Sequence, residues 1–265
     1  MERVKIDIQN HIAVVTFNRP EKRNALDSHQ FEAIIKAGEQ LKKNTSVRAV
    51  VLTGAGAVFC AGLDLSNFKG GGLPDDGHPI SVRTYGIANK WQQVVWVWRA
   101  LAVPVIAAVH GAAFGGGLQI MLGADIKYIK PDTKLSIMEM KWGLIPDMAG
   151  TQLMRHAVRD DIIRELTYTN RLFSGTDAVQ YGFATHLSDN PLEDAMKLAA
   201  EIASKSPTAI VKAKKILNAA PYLTSAEGLL MESVEQEDLM KNENQLEAVM
   251  SSMQKRPGNF KDYRE

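Results

Sequence analysis

The chain of 265 residues contains a single cysteine, Cys60, which excludes an internal disulfide and suits a reducing compartment. Net charge is almost absent: 31 Lys and Arg against 30 Asp and Glu leave +1 at pH 7. No global field therefore recruits nucleic acid or an anionic membrane, and an anionic ligand must be met locally. Also missing is an unbroken apolar run long enough to span a bilayer. The nearest approach, Val94 to Phe114, contains Arg99, and Pro104 breaks any helix through its middle. The histidines (His11, His29, His78, His110, His156 and His186) are scattered without metal-ligand spacing, so no metal is expected. The opening MERVKIDIQN has neither an apolar stretch nor a small-residue cleavage site, and a cytoplasmic location is the expectation.

An ordinary apolar fraction and this length suffice for a large core. Ile12 to Phe17 is a β-branched run ending at Asn18, Arg19 and Pro20, which reads as a strand entering a turn. Asp27 is placed to cap a helix whose apolar period runs through Phe31, Ile34, Ile35 and Leu41. Val47 to Leu52 reads as a second strand, Tyr85 to Leu101 as a helix and Val105 to Val109 as a buried strand. A helix led by glycine follows over Gly115 to Gly123, then a strand over Ile126 to Ile129. Between Ser66 and Ser81 nothing is periodic, so a surface loop is expected. Alternating strands and helices indicate an α/β fold. From Pro191 onward strand runs give way to four helical patterns, which puts a boundary near 190 to 205.

Two segments are suited to holding a carbonyl oxygen. Phe59 to Asp64 (FCAGLD) follows a strand, and small residues at 61 and 62 allow a ligand to approach the Leu63 N–H; a tight turn is the alternative. Gly111 to Gly117 (GAAFGGG) follows a buried strand and opens a helix, presenting free N–H groups and the positive end of a helix dipole. The run is neither GxGxxG nor a P-loop, which disfavours dinucleotides and triphosphates. Three adjacent glycines exceed what helix packing needs, since each costs a helix about 1 kcal/mol.

Beyond these two segments, five ordered blocks resemble the crotonase (enoyl-CoA hydratase/isomerase) family. They are NRPEKRNAL (Asn18 to Leu26), FCAGLDL (Phe59 to Leu65), PVIAAVHGAAFGGGLQIMLGADI (Pro104 to Ile126), EMKWGLIPDMAGTQ (Glu139 to Gln152) and FSGTDAVQYGFATHL (Phe173 to Leu187). The resemblance implies a spiral of ββα units over 1–195 and a C-terminal helical trimerisation region over 196–265, assembled as a homotrimer or a dimer of trimers. It implies an acyl-CoA substrate of the kind met in fatty acid metabolism, with no separate cofactor, nucleic acid or membrane partner. The backbone N–H groups of Leu63 and Gly116 become the oxyanion donors, each typically worth about 2.7 to 4 kcal/mol in a transition state. Arg23, Ala25, Ala61, Asp64, Leu65, Ser66, Gly115, Gln119 and Trp142 fall at substrate-lining positions. Lys255, Phe260 and Lys261 fall where the family's tail reaches a neighbouring subunit's CoA.

Hydratases of this family place two glutamates over the double bond; here the first position is Gln119, which has no pKa useful for proton transfer, and the second is Glu139. Asp147 stands where isomerases of the family carry an acid. The expected activity is a double-bond isomerase with Asp147 as base and Glu139 as assisting acid. The alternatives are a 2-enoyl-CoA hydratase using Glu139, and a non-catalytic acyl-CoA-binding or RNA-binding relative. An acid just before Ala149, Gly150 and Thr151 also reads as a helix cap. Glu139 sits among Met138, Met140 and Trp142, which favours a partly buried acid over a solvated charge. His110, ending an apolar strand, reads as a hydrogen-bonded core residue, and Trp91 to Trp98 as core or acyl-pocket wall.

Overall fold

A computed structural model describes residues 2–69 and 77–263. The central element is a six-stranded sheet of β1 (Val4–Gln9), β2 (Ile12–Phe17), β3 (Ala49–Gly54), β4 (Val105–Val109), β6 (Ile126–Ile129) and β9 (His186–Leu187), in the order β1-β2-β3-β4-β6-β9. All its pairings are parallel except β1 with β2. A second, three-stranded sheet joins β5 (Ala112–Phe114), β7 (Lys134–Ser136) and β8 (Phe173–Ser174).

β3 and β4 are buried on both faces, so their sequences are continuously apolar rather than alternating. Val50 and Leu52 of β3, with Val105, Ala107 and Val109 of β4, point into the main core. There they meet α1 (Ser28–Lys42) and α3 (Lys90–Arg99). Ala49, Val51, Ile106 and Ala108 point the other way, onto α8 (Pro191–Ala203). That helix meets the sheet with Ala195, Ala199 and Ala203, whose i, i+4, i+8 spacing forms one narrow face. Position 195/196 lies within α8, and the helices beyond it begin at Pro207.

The expected strands at 12–17, 105–109 and 126–129 occur with those bounds, and four helices follow Pro191 as expected. Asp27 caps α1 by accepting from the Gln30 N–H. α3 starts later than its apolar pattern suggests. Tyr85 and Ala88 bond each other's backbone, and Asn89 then forms a reciprocal cap with Gln92. The strand read at 47–52 lies at 49–54. Part of the expected loop is a helical turn, α2 (Ser66–Lys69), and residues 70–76 of that loop lie outside the described residues. The glycine-rich run does not pass straight from strand to helix. β5 intervenes before α4 (Gly116–Leu122), because Ala112 to Phe114 pair with β7.

After β7 come α5 (Gly150–Met154), α6 (Asp160–Thr169) and α7 (Gly175–Tyr181), and the chain closes with α9 (Pro207–Ala219), α10 (Ser225–Leu239) and α11 (Glu243–Met253). Lys214 of α9 ties this helical region to the sheet, donating to Asp125 at 2.7 Å and to the Val103 carbonyl at 2.9 Å. Among the described residues no helix is long and apolar enough to cross a membrane.

Candidate active site

The site forms where chain leaves the carboxyl ends of β3 and β4, the usual place for ligands in parallel sheets. Two backbone segments are stitched together there. Cys60 N–H donates to Ala112 O and Phe114 N–H donates to Cys60 O, each at 3.1 Å. On the other side Leu26 N–H donates to Gly62 O at 2.8 Å and Asp64 N–H to Leu26 O at 3.0 Å. Gly62 has φ +82, and a Cβ on it would lie 2.4 Å from Phe114 O. Only a glycine fits so close to a neighbouring backbone. Among the described residues, neither Leu63 N–H nor Gly116 N–H donates to a protein acceptor. Gly116 is the first residue of α4, where N–H groups have no helical partner.

Both residues line a cavity of about 720 Å³. Its deep wall is apolar, with Leu26, Phe31 and Trp91 buried, and its outer wall includes Leu65, Trp142 and Ile145, which are exposed. Trp91 is thus pocket wall and Trp98 is core. Of the residues expected to line the substrate, Arg23, Ala25, Ala61, Asp64, Leu65, Gly115 and Trp142 line this cavity, as do Glu139 and Asp147. Ser66 instead supports the loop, its N–H and hydroxyl donating to Asp64 at 3.0 and 2.8 Å. Asp64 also accepts from Arg19 at 2.6 Å. Burial alone would raise the Asp64 carboxyl, but Ser66 and Arg19 outweigh it and hold the pKa at about 2.

Glu139 opens a 3-10 turn over Glu139–Trp142 and is only 9% exposed, so it is a buried acid and not a solvated charge. Burial raises its pKa, and the charge of Asp147 raises it further. Its Oε1 accepts from Gln119, while its Oε2 is buried without a partner. Burial likewise raises the Asp147 carboxyl. Asp147 is not the cap of the helix that follows: the N-cap of α5 is Ala149, and no side chain caps it. The expectation that Gln119 faces substrate needs correction. Its side chain is 2% exposed and turned inward, with Nε2 donating to Glu139 at 2.6 Å. Its Oε1 accepts from Met148 N–H and Gly150 N–H, each at 2.9 Å.

His110 has a ring nitrogen 3.0 Å from Gly56 O, in the turn after β3. Lys22, absent from the sequence reading, joins Arg23 at the cavity; its adjacency to Arg23 in the basic turn was the available signal. Phe260 and Lys261 fold back on their own chain. Arg48 donates to Phe260 O at 2.8 Å, and Asn244 donates to Lys261 O at 3.0 Å.

The family model described as enoyl-CoA hydratase/isomerase matches residues 7–263. The chain belongs to the enoyl-CoA hydratase/isomerase family. Relatives within it carry different names. A mitochondrial Delta(3,5)-Delta(2,4)-dienoyl-CoA isomerase of Mus musculus is 29% identical over 94% of this chain and 78% of its own. A protein named a probable enoyl-CoA hydratase in Mycobacterium tuberculosis is 33% identical over 90% of this chain and 88% of its own. The crystal structure of an enoyl-CoA hydratase from Bacillus anthracis superposes with a TM-score of 0.88 at 27% identity, covering 98% of this chain and 99% of that one. The fold is therefore the crotonase fold. Its acyl-CoA enzymes include both reaction types, so the distinction falls to the residues at the cavity.

Proposed function

We propose that this enzyme isomerises unsaturated acyl-CoA thioesters, moving a double bond by proton transfer through a thioester dienolate. The observation that carries the reading is the pair of acids lining one cavity, close enough for the charge of Asp147 to act on Glu139. Asp147 caps nothing, Glu139 has an unpartnered Oε2, and both pKa values are raised by burial. In this reading the thioester oxygen accepts from Leu63 N–H and Gly116 N–H. Asp147 takes a proton from the acidified carbon beside the thioester, and negative charge spreads onto that oxygen. Glu139 delivers a proton to the far end of the allylic system, and the electron pair re-forms a double bond in the new position. Proton transfer between the two acids restores the starting state. Two acids with environments that keep one charged and one neutral meet that need.

Hydration is less well supported. It needs an additional group to orient water, and both ends of the Gln119 amide are committed within the protein. Lys22 and Arg23 at the mouth offer charge for the phosphates of CoA. The decisive experiment is turnover of 3-enoyl-CoA and 3,5-dienoyl-CoA by the wild type and Asp147→Asn, with crotonyl-CoA hydration measured in parallel. Isomerisation that collapses in the variant supports the reading. Undiminished kcat, or hydration as the dominant wild-type reaction, overturns it.

A further inference from the structure

Gln119 connects the two acids without touching the cavity. The orientation of its amide is fixed by its surroundings: the oxygen lies 2.9 Å from two backbone donors, Met148 N–H and Gly150 N–H, so the nitrogen must face Glu139. These donors flank Ala149, which has φ +66, a conformation that a residue with a Cβ adopts only when its surroundings impose it. Gly150 is fitted to the same contact. A Cβ there would lie 2.6 Å from the Gln119 Oε1 and 2.9 Å from its Cγ.

An N–H donor always facing Glu139 Oε1 has a chemical consequence. When Glu139 is neutral its proton favours the other oxygen, Oε2, because a carbonyl oxygen accepts from the amide better than a hydroxyl oxygen does, and Oε2 has no protein partner. An amide also has one protonation state across the working pH range, whereas an acid at position 119 would compete for the same proton. We propose that Gln119 is the positioning residue of the proton shuttle, confining the exchangeable proton of Glu139 to Oε2 and holding the 148–150 turn that presents Asp147. This role rests on the isomerase reading.

Two variants separate its two halves. Gln119→Glu keeps an oxygen to accept from Met148 and Gly150 but replaces the amide donor toward Glu139. Gln119→Leu removes both functions. The measurements are the pH dependence of kcat on 3-enoyl-CoA, the KM, and hydrogen exchange at the Met148 and Gly150 amides in the full chain. Gln119→Glu should leave exchange within about twofold of wild type while displacing the pH profile, because a third carboxyl now titrates with the pair. Gln119→Leu should speed exchange at both amides at least about tenfold and lower kcat about 10- to 100-fold, with KM changed about twofold. A wild-type kcat and pH profile in both variants overturns the proposal whatever exchange does. If Gln119→Leu does not fold, the pH profile of Gln119→Glu decides alone. Undiminished turnover by Asp147→Asn sinks the isomerase reading separately, since exchange reads the clamp without any turnover.

Discussion

Arg19 donates to Asp64 at 2.6 Å, joining the turn after β2 to the loop that carries Leu63. The pair is largely buried, and Arg19 also meets Asp27 at 3.2 Å. Asp64→Asn should therefore cost about 1 to 3 kcal/mol at neutral pH, by chemical denaturation. The sign with pH follows from the lowered pKa. The stabilisation is complete above the ordinary value of 3.8 and is lost as pH falls toward about 2. The gap between wild type and variant should thus close only under strongly acidic conditions.

A bell-shaped pH profile of kcat is expected on an isomerisable substrate. Activity falls on the acid side as Asp147 takes up a proton, at a pH above the ordinary 3.8. It falls on the alkaline side as Glu139 loses one, at a pH above the ordinary 4.5. The two limbs belong to the pair, so replacing one acid shifts what remains of the other. Asp147→Asn should lower kcat about 10²- to 10⁴-fold and remove the acid limb.

Stability should move the opposite way at Glu139. A folded-state pKa raised by burial contributes stability below the unfolded value, and that contribution disappears as pH rises through the folded value. Glu139→Gln should therefore melt higher than wild type at mildly alkaline pH, with the difference vanishing as pH drops below the ordinary 4.5. A thermal scan across pH tests this directly. Equal melting temperatures throughout would mean the carboxylate is not paying a desolvation penalty.

Gly62→Ala meets two obstacles at once, a φ of +82 and a Cβ position 2.4 Å from Phe114 O. The backbone must move, at a cost of about 1 to 3 kcal/mol. Since the moving peptide carries the Leu63 N–H, kcat should fall about 10²- to 10³-fold, as when one oxyanion donor is lost. Steady-state kinetics on the folded variant decides the point.

Cys60 is fully buried, and burial pushes its thiol up to about 12. It should resist thiol reagents in the native protein and react only on opening of the core. Labelling under increasing denaturant should track the global unfolding transition.

The sequence carried the fold best where local and tertiary demands agreed. Ile12 to Phe17 and Val105 to Val109 are apolar runs rich in Val and Ile and fully used by the sheet, and Asp27 caps the helix it precedes. α6 went unread because it buries only Leu166. β5 is three residues inside a glycine-rich run, and its partner β7 is equally short. At the cavity, the presence of two acids, Glu139 and Asp147, was visible in their residue types. The inward turn of Gln119 was not, because it depends on a left-handed Ala149, and only a glycine or asparagine would have announced that conformation. The same turn took the cap away from Asp147.

In the proposed mechanism the groups that meet the thioester oxygen at Leu63 and Gly116 are peptide hydrogens, common to every residue. Swapping the side chain at 63 leaves its hydrogen in place, so an alanine scan would pass over it, whereas a Cβ on Gly116 would lie 2.9 Å from Leu26 Cδ1 and Met148 Sδ and confound the reading there. Amide-to-ester replacement at either position, made by semisynthesis, deletes the hydrogen and spares the side chain. On that proposal the electrophilic machinery is written in the shape of the chain, and chemistry performed on the chain itself is what reads it.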